Sequence, residues 1–235
     1  MQLETQWAVK ASAEDKLETP VEIGSPSKNP SNINANINTG QLIVIAGPSG
    51  VGKGTLLKHF LEGHRDLQVS ISATTRQPRP GEVNGQHYYF LSKQQFDAMI
   101  ADNALLEWAE FAGNCYGTPK APIISAIAQG KRVILEIELI GARQVRKSFP
   151  QAKQIFVLPP SRDILEKRIR RRGQDSEEAI AKRLSQAEVE LAAADEFDVQ
   201  IVNDSLERAI AELERVIFAD AITADAKTQS PDSEP

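Results

Sequence analysis

Short runs of apolar residues recur at intervals along the middle of the chain, separated by polar stretches of helical length. Gln41–Ala46 is apolar on both faces, which predicts a buried strand, and Lys53–Leu61 predicts the helix behind it. Val69-Ser70-Ile71-Ser72 alternates like a short strand, and residues 73–86, rich in Arg, Pro and Gly, read as loop. His87–Leu91 predicts a strand, Lys93–Asp102 a helix opened by Ser92, and Leu105–Phe111 a strand ending at the turn Gly113-Asn114. The rhythm resumes with a strand at Arg132–Glu138, a helix at Ala142–Ser148 stopped by Pro150, a strand at Gln154–Leu158 and a helix capped at Ser161 that runs through Arg170. Asp175 and Glu178 form a capping pair for a long helix to about Ala194, and a last strand (Val199–Val202) and helix (Leu206–Phe218) follow. Alternating β and α with doubly apolar strands predicts the α/β class: a parallel sheet flanked by helices, interrupted by a mixed α/β lobe at about 72–125. Residues 1–39, with Pro20, Pro26, Pro30 and an Asn-rich run, are expected to be a disordered leader, and 219–235 a flexible tail.

The turn after the first strand carries the first chemistry. Gly47-Pro48-Ser49-Gly50-Val51-Gly52-Lys53-Gly54-Thr55 stands between strand and helix, as a phosphate-binding P-loop must. Its glycines let backbone N–H groups converge on phosphate oxygens, and Lys53 adds an ammonium at the β- and γ-phosphates. A tight turn alone would explain the glycines but not the lysine. Gly54 departs from the general G-x-x-x-x-G-K-[ST] pattern, so the usual Mg²⁺-binding hydroxyl comes one place late, at Thr55, the one candidate metal ligand. The Gly-Lys-Gly-Thr form resembles nucleoside monophosphate kinases, whose Mg²⁺ is held largely by nucleotide phosphates and water.

A second group lies in the inserted lobe. Arg76 and Arg79 are three apart in a loop stiffened by prolines, a spacing suited to gripping a phosphate; the alternative is a solvated loop. Tyr88, Glu107 and Tyr116-Gly117-Thr118 add phenols, a carboxylate and a hydroxyl, although the tyrosines taken singly would also serve as core aromatics. Guanine presents N1–H and N2–H₂ as adjacent donors for one carboxylate and O6 as an acceptor for a hydroxyl, whereas adenine would leave that carboxylate unpaired.

At these residues the chain closely resembles guanylate kinase over about 41 to 218, through Gly-Pro-Ser-Gly-Val-Gly-Lys, Ser-Ala-Thr-Thr-Arg-Gln-Pro-Arg-Pro-Gly-Glu-Val-Asn-Gly, Phe-Ala-Gly-Asn-Cys-Tyr-Gly-Thr and Ile-Val-Asn-Asp. The resemblance implies a P-loop NTPase-type fold with a GMP-binding lobe and a helical lid at about 168–183. It implies that Arg76, Arg79, Tyr88 and Tyr116 hold the GMP phosphate and that Ser72, Glu107 and Thr118 read the base, with Glu82 and Glu138 nearby. Arg168, Arg172 and Arg183 match lid arginines near the ATP phosphates, with Gly173 as a flexible point; Arg170 and Arg171 are read as a solvated face. Where the family often has Asp-Ile-Asp, this chain has Glu136-Ile137-Glu138, each carboxylate a methylene longer, and Thr118 stands where Ser is common.

The implied activity is transfer of the γ-phosphoryl of ATP to GMP, and to dGMP, with Mg²⁺, in GMP recycling and GTP supply. Closure of the lobe and the lid would exclude water. The rival classes are a non-catalytic phosphopeptide-binding module of the same fold, which the presence of Lys53, Arg172 and Arg183 opposes, and a kinase of phosphorylated sugars, which Ser72, Glu107 and Thr118 oppose.

Charge adds little. The net −5 resides in the termini, where Glu4, Glu14, Asp15, Glu18 and Glu22 outweigh Lys10, Lys16 and Lys28, and Asp220, Asp225, Asp232 and Glu234 outweigh Lys227. The part between is formally neutral, so bulk charge favours neither nucleic acid nor membrane. One cysteine, Cys115, excludes an internal disulfide, His59, His64 and His87 lack metal-ligand spacing, and no apolar run is long enough to span a bilayer. The expectation is a cytoplasmic monomer or homodimer.

Overall fold

The computed structural model describes residues 40–171 and 176–228, with side chains to 218. Readings that fall on 1–39, Arg172, Gly173, Asp175 and 229–235 lie outside the described residues. By internal contacts the described chain divides into two units, one formed by 40–70 with 123–228 and the other by 71–122.

The larger unit is a five-stranded parallel sheet in the order β2-β7-β1-β8-β9, with β1 (Gln41–Ala46) central, β7 (Arg132–Glu136) and β8 (Lys153–Leu158) beside it, and β2 (Gln68–Val69) and β9 (Val199–Val202) at the edges. Ile43 pairs with Ile134 on one side and Lys153 on the other. Ile43, Ile45, Ile134, Ile155 and Ile201 are all fully buried, at about 1.5–3 kcal/mol of burial free energy each. Strands apolar on both faces need helices on both faces. These are α1 (Lys53–Gly63), α4 (Leu139–Ser148), α5 (Arg162–Arg170), α6 (Glu177–Ala192) and α7 (Leu206–Thr228); α7 continues ten residues past the expected end at Phe218. The cap of α6 is Ser176, whose hydroxyl accepts from the Ala179 N–H, one residue later than the expected Asp175. Glu138 caps α4 in extended conformation rather than continuing β7, which stops at Glu136.

The smaller unit holds β3 (Ala73–Thr74), β4 (Tyr89–Phe90), α2 (Lys93–Ala101), β5 (Leu105–Phe111) and β6 (Asn114–Pro119), with sheet order β4-β3-β6-β5; the chain returns to the larger unit within α3 (Lys120–Ala128). Of the strand expected over 69–72 only Val69 is in a strand, at the end of β2, and β3 lies in the first two residues of the stretch read as loop, in the other sheet; the division between the units falls between them, at Ser70/Ile71. Ser92 opens α2 with a full capping box to Gln95. A small core of Ala73, Leu91, Phe96, Leu105 and Cys115 holds the lobe together.

Candidate active site

Gly47, Gly50 and Gly52 have φ of +148°, +86° and +99°. A β-carbon on Gly47 would lie 2.5 Å from the Val157 carbonyl oxygen, and one on Gly52 2.8 Å from Asn203 Nδ2. Torsion and space both demand glycine there. Gly52 is the N-cap of α1 and its carbonyl accepts from the Leu56 N–H at 2.9 Å. The first N–H groups of α1 therefore lack helical acceptors and form an anion site at Lys53, Gly54 and Thr55. The Lys53 ammonium folds back on the Gly47 carbonyl. Nothing lies within 4 Å of where a Gly54 β-carbon would be, so packing does not exclude the commoner serine.

The back of the loop is held from a distance. The Val51 carbonyl accepts from Arg168 Nη1 at 2.8 Å and from Asn203 Nδ2 at 2.9 Å, and Arg168 Nη2 donates to the Asn203 carbonyl at 3.1 Å. Arg168, expected near the nucleotide phosphates, is bonded here to the backbone of the P-loop itself. Asn203 lies in the Ile-Val-Asn-Asp motif but was not singled out there. Arg168→Ala is expected to remove about 2 kcal/mol of stability, since bonds from a charged donor are worth about 1.5–3 kcal/mol. Calorimetry without nucleotide should show the melting temperature falling roughly 4–8 °C; an unchanged value would return Arg168 to a purely catalytic role.

Two carboxyl groups of this unit, Glu136 and Glu190, interact with the Lys53 charge. Glu136 ends β7, and desolvation of its carboxyl raises its pKa against the pull of Lys53. Glu138, expected near GMP, belongs to this unit rather than to the lobe. Glu190, on α6, is 5% exposed and was missed in the sequence because an acidic residue on a polar helix carries no signal. Arg183 is half-buried two helical turns before it. Burial raises the Glu190 pKa and the Glu138 charge adds to this, while Gln186, Lys53 and the Ser49 N–H oppose it.

The lobe gathers Ser72, Arg76, Arg79, Glu82, Tyr88, Glu107, Tyr116 and Thr118. The β5–β6 ladder shifts register between Leu105 and Trp108, and three consecutive residues of β5, including Glu107, are buried where plain alternation would bury two. Glu107 Oε1 accepts from the hydroxyl of fully buried Thr118 at 2.6 Å. Burial raises the Glu107 pKa and the Thr118 bond lowers it. The niche thus offers a dry carboxylate with a hydroxyl fixed beside it.

In the same unit, the loop that carries Arg76 and Arg79 is organised around Glu82. Arg76 Nη1 and Nη2 donate to Glu82 Oε2 and Oε1, both at 2.9 Å, and the Arg79 backbone N–H donates to Oε2 at 2.6 Å. Arg76 above all, then the Arg79 N–H, hold the Glu82 pKa down to about 2. Arg76 also donates Nη1 to the Gln77 carbonyl at 2.8 Å and stacks 5.4 Å above the Tyr88 ring. The Tyr116 hydroxyl also hydrogen-bonds with this guanidinium, so a carboxylate, a backbone carbonyl and a phenol fix the fork in place. Tyr88 meets Tyr116 edge-on at 6.3 Å. The Arg79 side chain is exposed, and the Ser72 carbonyl accepts from the Tyr89 N–H. Among the described residues no group of three or more His, Cys, Asp or Glu is placed to hold a metal.

A family model described as guanylate kinase matches residues 39–220. The guanylate kinase of Thermosynechococcus vestitus is 66% identical over 182 residues, which is 77% of this chain and 95% of that protein. That of Synechococcus elongatus is 58% identical over 183 residues, covering 78% of this chain and all of its relative. Among solved structures, a guanylate kinase from Anaplasma phagocytophilum aligns with a TM-score of 0.60 at 25% identity, over 84% of this chain and 98% of its own.

Proposed function

The chain belongs to the guanylate kinase family and is an enzyme that phosphorylates GMP; from that premise we propose how its own residues divide the work. The observation that carries the reading is the Glu107–Thr118 pair, a buried carboxylate with a hydroxyl 2.6 Å away. Glu107 accepts guanine N1–H and N2–H₂, Thr118 turns its hydroxyl to O6, and Ser72 completes the base contacts. Arg76, with Arg79, Tyr88 and Tyr116, takes the phosphate; Glu82, ionised throughout the neutral range, keeps Arg76 in place.

The loop from Gly47 to Thr55 holds the phosphates of ATP. The GMP phosphate is its own nucleophile, since its second ionisation is complete near neutral pH (pKa about 6). No general base is required, and Lys53, Arg172 and Arg183 stabilise charge spreading over the transferred group. Mg²⁺ fits a site whose described residues form no carboxylate cage: phosphates and water would carry it, with the exposed Thr55 hydroxyl as its protein ligand, and when bound it would neutralise phosphate charge. No described helix is long and apolar enough to cross a membrane, and with one buried cysteine this supports a cytoplasmic setting. A non-catalytic phosphopeptide-binding role has no use for the P-loop lysine and is not favoured.

The test is a coupled ADP-release assay with ATP, Mg²⁺ and each of GMP, dGMP, AMP, CMP and UMP. Turnover is expected for GMP and dGMP only. AMP turnover at a comparable rate would sink the base-reading role of Glu107.

A further inference from the structure

One buried group near the P-loop has no task in the mechanism above. Glu190 is 5% exposed, and its Oε2 is buried with no hydrogen-bond partner among the described residues. The carboxylate is otherwise met by a long bond, 3.3 Å, from Gln186 one turn earlier on α6 to Oε1, and by the Ser49 N–H of the P-loop. An unsatisfied buried carboxylate oxygen costs stability, and for packing alone an apolar side chain would serve better. Such a group is retained where its charge is used.

The surroundings indicate the use. The groups acting on this carboxyl from other elements are the Lys53 ammonium at the start of α1, the Ser49 N–H in the P-loop, and the Glu138 carboxylate before α4. Two of these three belong to the phosphate cradle, Lys53 as its mobile cation and Ser49 as part of its entering arm. Glu190 also shares a helical face with Arg183, seven residues earlier, so the helix that carries a lid arginine is the one that presents this acid to the loop.

We propose that Glu190 is a positioning residue for the ATP half of the reaction, its carboxylate serving as the buried counter-charge that holds Lys53 and the Ser49 amide in place before the phosphates arrive. The proposal rests on the P-loop being the ATP site. It follows from preorganisation: donors already aimed at the phosphates need no rearrangement when nucleotide binds, and without the counter-charge that rearrangement opposes ATP binding. GMP binding, which draws on residues of the other unit, is not involved.

The test is Glu190→Gln, which keeps shape and volume. KM for ATP is expected to rise about tenfold while KM for GMP stays within twofold, and the melting temperature is expected to hold or rise because a buried charge has gone. Glu190→Asp, which restores the charge on a shorter arm, should recover part of the loss. An unchanged or lowered KM for ATP in Glu190→Gln would overturn the proposal, as would equal losses for both substrates or a fallen melting temperature, which mean a merely structural role. Calorimetric binding of a non-hydrolysable ATP analogue with Mg²⁺ to wild type and Glu190→Gln reads the same effect without turnover. Failure of wild type to phosphorylate GMP would therefore count against the assigned reaction and not against Glu190.

Discussion

Lys53→Met is expected to lower kcat about 10³-fold, the scale on which removal of one preorganised electrostatic group acts. The expectation follows from where the structure keeps the ammonium. Lys53 is the first residue of α1, and its Nζ is bonded to the carbonyl of Gly47 at the other end of the same loop. That contact spans the loop, and a γ-phosphate would offer the ammonium a better partner than a neutral carbonyl. The charge can thus move to the transferring group without any change in the backbone. Methionine keeps the stem and loses the charge, so the fold should stay, because the residue is only partly buried. GMP affinity, measured by calorimetry without ATP, is expected to be unchanged, because Lys53 and the lobe residues belong to separate units. Steady-state kcat at saturating ATP and GMP is the deciding measurement. A loss under tenfold would remove Lys53 from the transition state.

The P-loop was legible because its signal is local. Four glycines, a lysine and the change from strand to helix fall within thirteen residues, and each positive φ of the loop is where a glycine stands. The same holds for β1 and β8, whose central residues are apolar on both faces as a sheet covered on both sides requires. Between the turn at Gly113-Asn114 and the strand at Arg132 the sequence reading assigns no element, yet 114–119 is β6 and 120–128 is α3. Gly117 marks a close crossing of strands: a β-carbon there would meet the Glu107 carbonyl oxygen at 2.8 Å and the Trp108 β-carbon at 2.9 Å. A glycine that permits a tight ladder and one that permits a turn look alike in sequence.

The supports of the site were less legible than the site, for a related reason. Arg168 and Asn203 reach the Val51 carbonyl across 117 and 152 residues of chain, and no spacing rule links positions so far apart. Glu190 is hidden in the same way. Its helix is polar enough that one more acid looks solvated, and only the packed structure shows it buried beside Lys53. Family resemblance pointed to residues that touch substrate, and geometry added those that hold the substrate-touching groups in place.

Glu107→Gln should give the second large effect, a fall of about 10³-fold in kcat/KM for GMP with KM for ATP unchanged. Two bonds from guanine N1–H and N2–H₂ to a carboxylate are charge-assisted, at about 1.5–3 kcal/mol each. The amide replaces one acceptor with a donor that faces a donor. The change also carries a pH signature. Burial holds the Glu107 pKa above its ordinary value in the free enzyme, with the Thr118 bond pulling the other way, while guanine recognition needs the ionised form. In wild type kcat/KM for GMP should therefore decline as pH falls through that raised pKa. Glu107→Gln should abolish this decline, leaving only the limb from the GMP phosphate near pH 6. Stability runs the opposite way. A carboxyl with folded pKa above its unfolded value disfavours the fold increasingly as pH rises through the folded pKa, so the variant should melt higher than wild type at pH 7 and lose that advantage below about pH 4. Kinetics and melting curves at pH 5 to 8 on both proteins decide the matter. A variant that melts lower at pH 7 and loses affinity for both nucleotides would mean that Glu107 supports the lobe rather than reading the base.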